Sequence, residues 1–422
     1  MSTTIGEIIA EYGGSIKTGP FGTTLKASEY TSTGVPLISV KEIGAGTFHI
    51  DDKTPRVDEK VTLRLPEYLL EKGDIVFARK GSVERSAIVG EDQVGWFLGS
   101  DGIRLRLPTT VNAQYVKYWI SQGKIKNWLH QHSTGSTMAS LNQKTIARIP
   151  ILLPSPEQQT LVADILHTFD DKIELNRRMN ETLEAMARAV FRDWFVDFGP
   201  TRRKAASETD PVAILGGILP DPAKATELAA LFPDRFGDNG LPEGWEEREV
   251  GSFAKLKGGK QLPKTEFVED GDIPVFGGAG HMGNTDKANA SGYVISVGRV
   301  GAYCGNFVAH RGLAWINNNA SFFELKNGTK PEWFFYALRG LDLTTIRKGA
   351  AQPFVSNGDI AKLSLVFPGD PVLETFQGIL LPLVQLIEAN EKENQTVAAT
   401  RDLLLPKLMS GEIRLKGAEA EV

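Results

Sequence analysis

Cysteine is nearly missing from this sequence: Cys304 stands alone among 422 residues. Its isolation excludes a disulfide scaffold and any cysteine-based zinc site, and it suits a reducing cytosol. Six scattered histidines offer no metal-ligand spacing either. Long apolar runs are lacking, with none of 18 residues that would cross a membrane. The amino-terminal MSTTIGEIIAEYGG carries Glu7 and Glu11 where a secretory signal needs an apolar core. Nor is there an excess of basic charge. With 47 Lys and Arg against 52 Asp and Glu the net charge is −5, which excludes nucleic-acid binding by bulk charge alone. These absences lead to the expectation of a soluble cytoplasmic protein with no membrane partner.

Catalytic motifs are absent too. No G-x-x-x-x-G-K-[ST] loop provides a Walker-type ATP site, and no Asn-Pro-Pro-aromatic run of the adenine methyltransferases occurs. FGGAG (276–280) resembles the glycine-rich turn of nucleotide or S-adenosylmethionine sites, but HMGNTDKANASG follows it where a helix N-terminus should hold the ligand. A plain turn is the better reading. The ELK triplet at 324–326 has no proline-aspartate suitably upstream, so the carboxylate cluster of a metal nuclease is incomplete. GSTMAS (135–140) has hydroxyls but nothing to activate one. A non-catalytic chain without a cofactor or metal of its own is expected.

What is present is repetition. The composition, 41% hydrophobic and 23% charged, is that of a globular protein, and 422 residues exceed one core. IARIPILLP (146–154) returns 214 positions later as IAKLSLVFP (360–368). The offset continues without a gap, placing KIELN (172–176) on LIEAN (386–390) and Leu183 on Val397. Upstream the match is looser: RLRL (104–107) faces FFEL (322–325), and GVP (34–36) faces DIP (272–274). Each copy has a body of short apolar runs bounded by turn residues, such as GDIVFA (73–78) and YVISVG (293–298), then a long helix. The expected fold class is α+β: two mixed, β-rich bodies at 1–155 and 241–369, each with one short helix (114–131 and 330–340). Helices follow at 156–200 and 370–410, with a tail at 411–422. Residues 201–240, punctuated by Pro and Gly, read as a linker with at most a turn or two of helix.

Alternating steps of three and four mark a seam on each helix. The first runs Leu166, Phe169, Ile173, Asn176, Asn180, Leu183, Ala187, Val190 and Trp194; the second runs Leu380, Leu383, Ile387, Asn390, Asn394, Val397, Arg401, Leu404 and Leu408. The shared polar interruption predicts an antiparallel coiled coil related by a pseudo-two-fold, with Asn176 or Asn180 approaching Asn390 or Asn394. About 40 residues make roughly 60 Å of rod, giving a dumbbell. Pro382 is expected in the first turn or at a kink and Pro406 at the end of the second helix. Arg401 is expected to snorkel or to pair with an acid. Phe191, Trp194, Phe195 and Phe198 flank the seam as exposed apolar groups and predict poor solubility without a partner.

Charge is unevenly placed. The first body carries +3, the second is neutral, and the helices carry −4 (156–200) and −3 (371–422). From Gly102 through Pro156 there is no acid, yet Arg104, Arg106, Lys117, Lys124, Lys126, Lys144 and Arg148 are interleaved with aromatics. GSFAKLKGGKQLPKT (251–265) repeats the pattern with Lys257 and Lys260. Such segments suit a phosphate backbone. Trp119 and Trp128 read as buried. The loops HSTGSTMASLN (132–142) and RKGAAQPFVSN (347–357) occupy equivalent positions and offer Ser136, Thr137, Arg347, Lys348 and Gln352 to base edges or phosphates. Arg79, Lys80 and Arg85 in ARKGSVERS, and Arg299 in VGRVGAY, are the further candidates; for Arg79 and Arg299 a base contact, a phosphate contact or a surface ion pair remain open.

Together, PSPEQQTLVADIL, DDKIELNRRMNETLEAMARAVFRDWFVDFGP, LPEGWEEREVG and ENQTVAATRDLLLPKLMSGEI resemble the specificity subunits of Type I restriction-modification systems, and the resemblance covers essentially the whole chain. It implies two target-recognition domains, each reading half of a bipartite site in double-stranded DNA, with the helices as a ruler between them. It also implies two copies of a modification subunit that bring S-adenosylmethionine and methylate adenine, and restriction subunits that bring ATP and Mg. The lack of a Glu-Gln pair in PGDPVLETFQ, against Glu157–Gln158 in the first copy, departs from the pattern. A methyltransferase-only targeting subunit and a structural adaptor without DNA are the competing readings.

Overall fold

Short β-branched and aromatic runs recur between glycines in both halves of the chain, and they fold as strands. The computed structural model describes residues 2–135, 138–219, 221–269, 271–349, 352–413 and 415. Residues 1–176 with 391–422 form one unit, and residues 177–390 form another.

In the first unit Ser15–Thr18, Gly102–Arg106, Ile75–Ala78 and Ser86–Ile88 make an antiparallel sheet in that order. Ile75 and Phe77 sit opposite Leu105 and Ile103. Ile75–Ala78 is buried throughout, which is why it reads IVFA without polar alternation. A second small sheet closes on a parallel pair, Leu37 beside Phe97. Helices Ala113–Ser121 and Gly123–His132 place Tyr115, Val116, Trp119 and Leu129 in one core with Ile75, Phe77 and Ile103.

The second unit repeats the plan. Ala254–Gly258, Ala320–Leu325, Tyr293–Gly298 and Phe307–Arg311 make the antiparallel sheet, and Val275 beside Trp315 belongs to the parallel pair of the smaller one. Helix Pro331–Arg339 supplies Trp333 and Phe334 to the core. The first residues of each body are tied alike: the Ile5 N–H donates to the Ile149 carbonyl (3.1 Å) and the Val250 N–H to the Leu363 carbonyl (2.8 Å).

Two long helices, Pro156–Phe195 and Asp370–Ser410, contribute segments to both units. They run antiparallel within each. In the first, Asp170 meets Arg401 and Asn176 meets Asn394; in the second, Asn180 meets Asn390 and Phe191 packs on Phe376. Leu166, Leu405 and Leu408 anchor one pair of segments in its body's core, and Val190, Trp194, Phe376 and Leu380 anchor the other.

Several expectations need correction. Region 201–240 is not a linker: it holds helices Gly199–Ala205, Pro211–Ile214 and Pro222–Ala229, whose Ile214, Leu215, Leu228 and nearby Phe232 join the second unit's core. Asp210 and Asp221 cap the last two of these helices, with proline in the first turn of each, a start signal that the Pro/Gly count masks. This helical layer also covers Phe191, Trp194 and Phe195, which are buried rather than exposed, and Phe198 is partly buried against the same core. Covered in this way, they form no exposed apolar patch that would call for a partner to keep the chain soluble. Pro406 lies inside the second long helix rather than at its end, and Pro382 lies well past its first turn. Each removes one hydrogen bond at a cost of about 3 kcal/mol, but Leu380 and Phe376 before the first, and Leu405, Leu408 and Met409 around the second, are buried and hold the helix in place. The span 114–131 is two helices, parted where Gln122 turns extended. One 18-residue window of the second long helix reaches a mean hydropathy of 1.4, long and apolar enough to cross a membrane by composition. That corrects the expected lack of such a run; Val372, Leu373, Phe376 and Leu380 of this helix are buried in protein.

Candidate nucleic-acid interface

The central strand of each larger sheet delivers one arginine to a loop. After Ile75–Ala78, the Arg79 N–H donates to the Asp101 carbonyl (2.9 Å) and the Arg79 carbonyl accepts from the Leu141 N–H (2.8 Å). After Tyr293–Gly298, the Arg299 N–H donates to the Asn319 carbonyl (3.0 Å) and its carbonyl accepts from the Val355 N–H (3.0 Å). Two residues on, the Gly81 N–H meets the Ala139 carbonyl and the Gly301 N–H meets the Pro353 carbonyl (2.9 and 2.8 Å). The same frame is therefore built twice.

The hairpins that lace onto these arginines also match. Thr134 pairs with Ser140 and Lys348 with Phe354, in each case through two backbone hydrogen bonds. Gly135 and Gly349 turn the two hairpins at φ of +103° and +85°. A Cβ on Gly135 would run into the Met138 carbonyl, and one on Gly349 would lie 2.6 Å from that of Gln352. Only glycine fits both the dihedral and the space.

The candidates separate within this frame. The Arg79 guanidinium lies 5.9 Å from the Phe21 ring and donates to the Ser100 carbonyl (3.3 Å), with no other side-chain hydrogen bond among the described residues. Arg299 donates to Ser321 Oγ at 3.4 Å. The Nε atoms of Arg85 and Arg299 are buried without a hydrogen-bond partner among the described residues. Lys80 is held by Asp101 at 3.0 Å, Lys257 by Glu324 at 2.7 Å, and Lys348 by Asp359 at 2.7 Å. The Lys348 ammonium, with the Ser356 hydroxyl, lowers the Asp359 carboxyl below its ordinary range. Arg347 donates to the Cys304 carbonyl (2.9 Å). Lys144 and Gln352 are exposed, and so is Lys260, which with Lys257, Asn289 and Tyr293 lines a cavity of about 460 Å³ in the second unit. Ser136 and Thr137 lie outside the described residues.

The acid-free stretch is less available than its sequence implies. Arg104 is 4% exposed and donates to the Glu67 and Leu69 carbonyls. Arg106 pairs with Asp74 (2.7 Å) and Lys117 with Asp170 (2.6 Å). Acids distant in sequence neutralise these cations in space. Trp119 is buried and its indole N–H donates to the Pro150 carbonyl (2.7 Å); Trp128 is half-buried and stacks on His132. Sequence reasoning passed over Phe21 and Met138, 64% and 59% exposed, which sit beside the Arg79 loop. A phenylalanine set between Gly19, Pro20 and Gly22 is the signal that marks the first.

Away from the loops, the predicted seam residues lie on the paired helix segments. Asn176 Nδ2 donates to Asn394 Oδ1 (2.9 Å) and to Glu393 (2.8 Å); Asn390 Nδ2 donates to Asn180 Oδ1 (2.8 Å). Leu183 is buried, while Phe169, Ile173, Leu383, Ile387 and Val397 are half-buried. Arg401 pairs with Asp170 and Asp402.

A family model described as "Type I restriction modification DNA specificity domain" matches residues 17–185 and 242–399, one stretch from each copy of the repeat. The Type I restriction enzyme MjaIX specificity subunit of Methanocaldococcus jannaschii is 25% identical over 423 residues, covering 93% of this chain and 89% of that protein. The Type I restriction enzyme HindI specificity subunit of Haemophilus influenzae is 26% identical over 335 residues, 67% of this chain and 72% of that one. The crystal structure of a Type-I restriction-modification system S subunit from M. genitalium shares the fold, with a TM-score of 0.54 at 18% identity over 97% of this chain and 96% of that one.

Proposed function

We propose, from the premise that the chain belongs to the Type I restriction-modification DNA specificity family, that each unit reads one half of a split site in double-stranded DNA. One observation carries this reading: the arginine-and-hairpin frame is built twice with the same backbone hydrogen bonds, but displays different side chains. A shared frame with unlike side chains suits two half-sites of unlike sequence. Arg79 and Arg299 present forks to guanine in the major groove, each good bidentate pair giving about 1–3 kcal/mol of discrimination. Lys144 and Lys260 contact phosphates, which orient the duplex without reading it. Lys80, Lys257 and Lys348 exchange their carboxylate partners for phosphate on binding.

Catalysis belongs in this reading to other subunits. Two copies of a modification subunit bring S-adenosylmethionine and methylate an adenine in each half-site, and restriction subunits supply Mg- and ATP-dependent cutting. The chain itself holds no cofactor and works in the cytoplasm.

Competition binding tests the proposal, using the full chain co-expressed with its modification subunit. Arg79→Ala is expected to lose roughly tenfold or more of preference for the specific duplex while non-specific binding barely changes. Lys144→Ala should instead weaken all duplexes and lower the salt slope by about one. No preference for any duplex over random DNA would overturn the reading.

A further inference from the structure

Two loop positions differ in kind between the units although their frames coincide. The first follows a glycine that closes the edge strand of the larger sheet. The Gly19 N–H donates to the Gly102 carbonyl (3.1 Å) and the Gly259 N–H to the Ala320 carbonyl (3.0 Å). A Cβ on Gly19 would strike the Gly99 carbonyl and one on Gly259 the Asn317 carbonyl, so both glycines sit in the same tight passage. Two residues further on stand Phe21 in the first unit and Gln261 in the second. The other position lies at the hairpin turn, three residues after Gly135 or Gly349, and holds Met138 or Gln352. All four side chains are exposed. At both positions an apolar group in one unit is replaced by a carboxamide in the other.

A solvent-exposed Phe21 beside an arginine fork, and a solvent-exposed Met138 next to Ala139, whose carbonyl the Arg79 loop binds, gain nothing from water. The guanidinium of Arg79, 5.9 Å from the Phe21 ring, suits a polyanion that brings its own apolar surface. In a duplex the apolar group displayed in the major groove is the thymine methyl, whereas a carboxamide matches the paired donor and acceptor of adenine. Tyr303 and Phe354 are exposed in the second unit as well, so apolar exposure alone does not separate the units. The exchange at two equivalent positions does.

We propose that Phe21 and Met138 make the first unit select a thymine through its methyl group, and that Gln261 and Gln352 make the second unit select an adenine through its N6 and N7 edge. The inference rests on the DNA-reading function above.

The test uses the full chain with its modification subunit and duplexes carrying the site that the complex methylates. Thymines of the first half-site are replaced singly by uracil, which lacks the methyl, and adenines of the second by 7-deazaadenine, which lacks N7. One uracil should weaken binding about fourfold, the value of one buried methyl-sized group, and should have no effect on Phe21→Ala or Met138→Ala. One deazaadenine should weaken binding about tenfold and should leave Gln261→Ala or Gln352→Ala unchanged. Indifference to every uracil, or variants that lose equally on thymine and uracil duplexes, would overturn the proposal. The scans on the unsubstituted complex need no variant, so a variant that misfolds does not protect it. A complex that ignores the site altogether marks failure of the DNA-reading premise; one that prefers the site but ignores the base analogues marks failure of this inference alone.

Discussion

In the first unit the Asp170 carboxylate accepts hydrogen bonds from Lys117, Tyr118 and Arg401, each at 2.6 Å. Burial alone would raise its pKa, but these three donors outweigh burial and hold the carboxyl below its ordinary value. Because it titrates lower in the folded chain than in the unfolded one, its contribution is complete above about pH 4 and lost as pH falls through the folded value. Asp170→Asn is therefore expected to cost about 2–3 kcal/mol at neutral pH and to flatten the acid limb of stability, as measured by urea unfolding from about pH 5 down to about pH 2. An unchanged acid limb would contradict the assignment. At this scale the sequence was only partly legible. Arg401 on an apolar seam left snorkelling or an acid partner open, and Asp170, the partner it has, lies 231 positions away where no spacing rule points. The same distance effect hid the partners of Arg106 and Lys117.

Among elements, the helix pair and the hairpins carry the clearest consequences. Asn180 and Asn390 bond each other inside a largely apolar seam, an arrangement that fixes register at a cost in stability. Asn390→Leu alone should destabilise by about 1–3 kcal/mol, since Asn180 loses its partner. The double change Asn180→Leu with Asn390→Leu should recover that loss or exceed it. Thermal unfolding of the four combinations measures the coupling, and additive single effects would contradict it. Gly135→Ala addresses the hairpin. Its positive φ and the nearby Met138 carbonyl leave no room for a methyl, so the variant should keep circular dichroism near that of the parent while losing specific DNA binding. The seam was readable because a 3.5-residue period repeats over many turns. The helices of 199–229 were not: they are short, their capping Asp-Pro pairs look like linker punctuation, and their stability comes from packing on Trp194 and Phe195 rather than from propensity.

For the whole molecule, the repeat at an offset of 214 was the strongest sequence signal, and it anticipated two similar bodies, whose larger sheets share one strand order. The shared frame follows from backbone hydrogen bonds that many side chains can satisfy, so the fold persists while the loops differ. For that reason the residues proposed to read bases were the least legible part: Phe21 and Met138 belong to no periodic pattern, and only the fold brings Phe21 beside Arg79 and the Met138 hairpin onto the Arg79 loop. The central claim concerns what the two units do together in a cell. Mapping N6-methyladenine across a genome, with this gene present, deleted, and carrying residues 1–155 from a relative of different specificity, tests it most directly. The account predicts loss of methylation at one split, asymmetric motif on deletion, and a change in one half of that motif on the swap. Unaltered methylation in a strain whose modification subunit is active would contradict it.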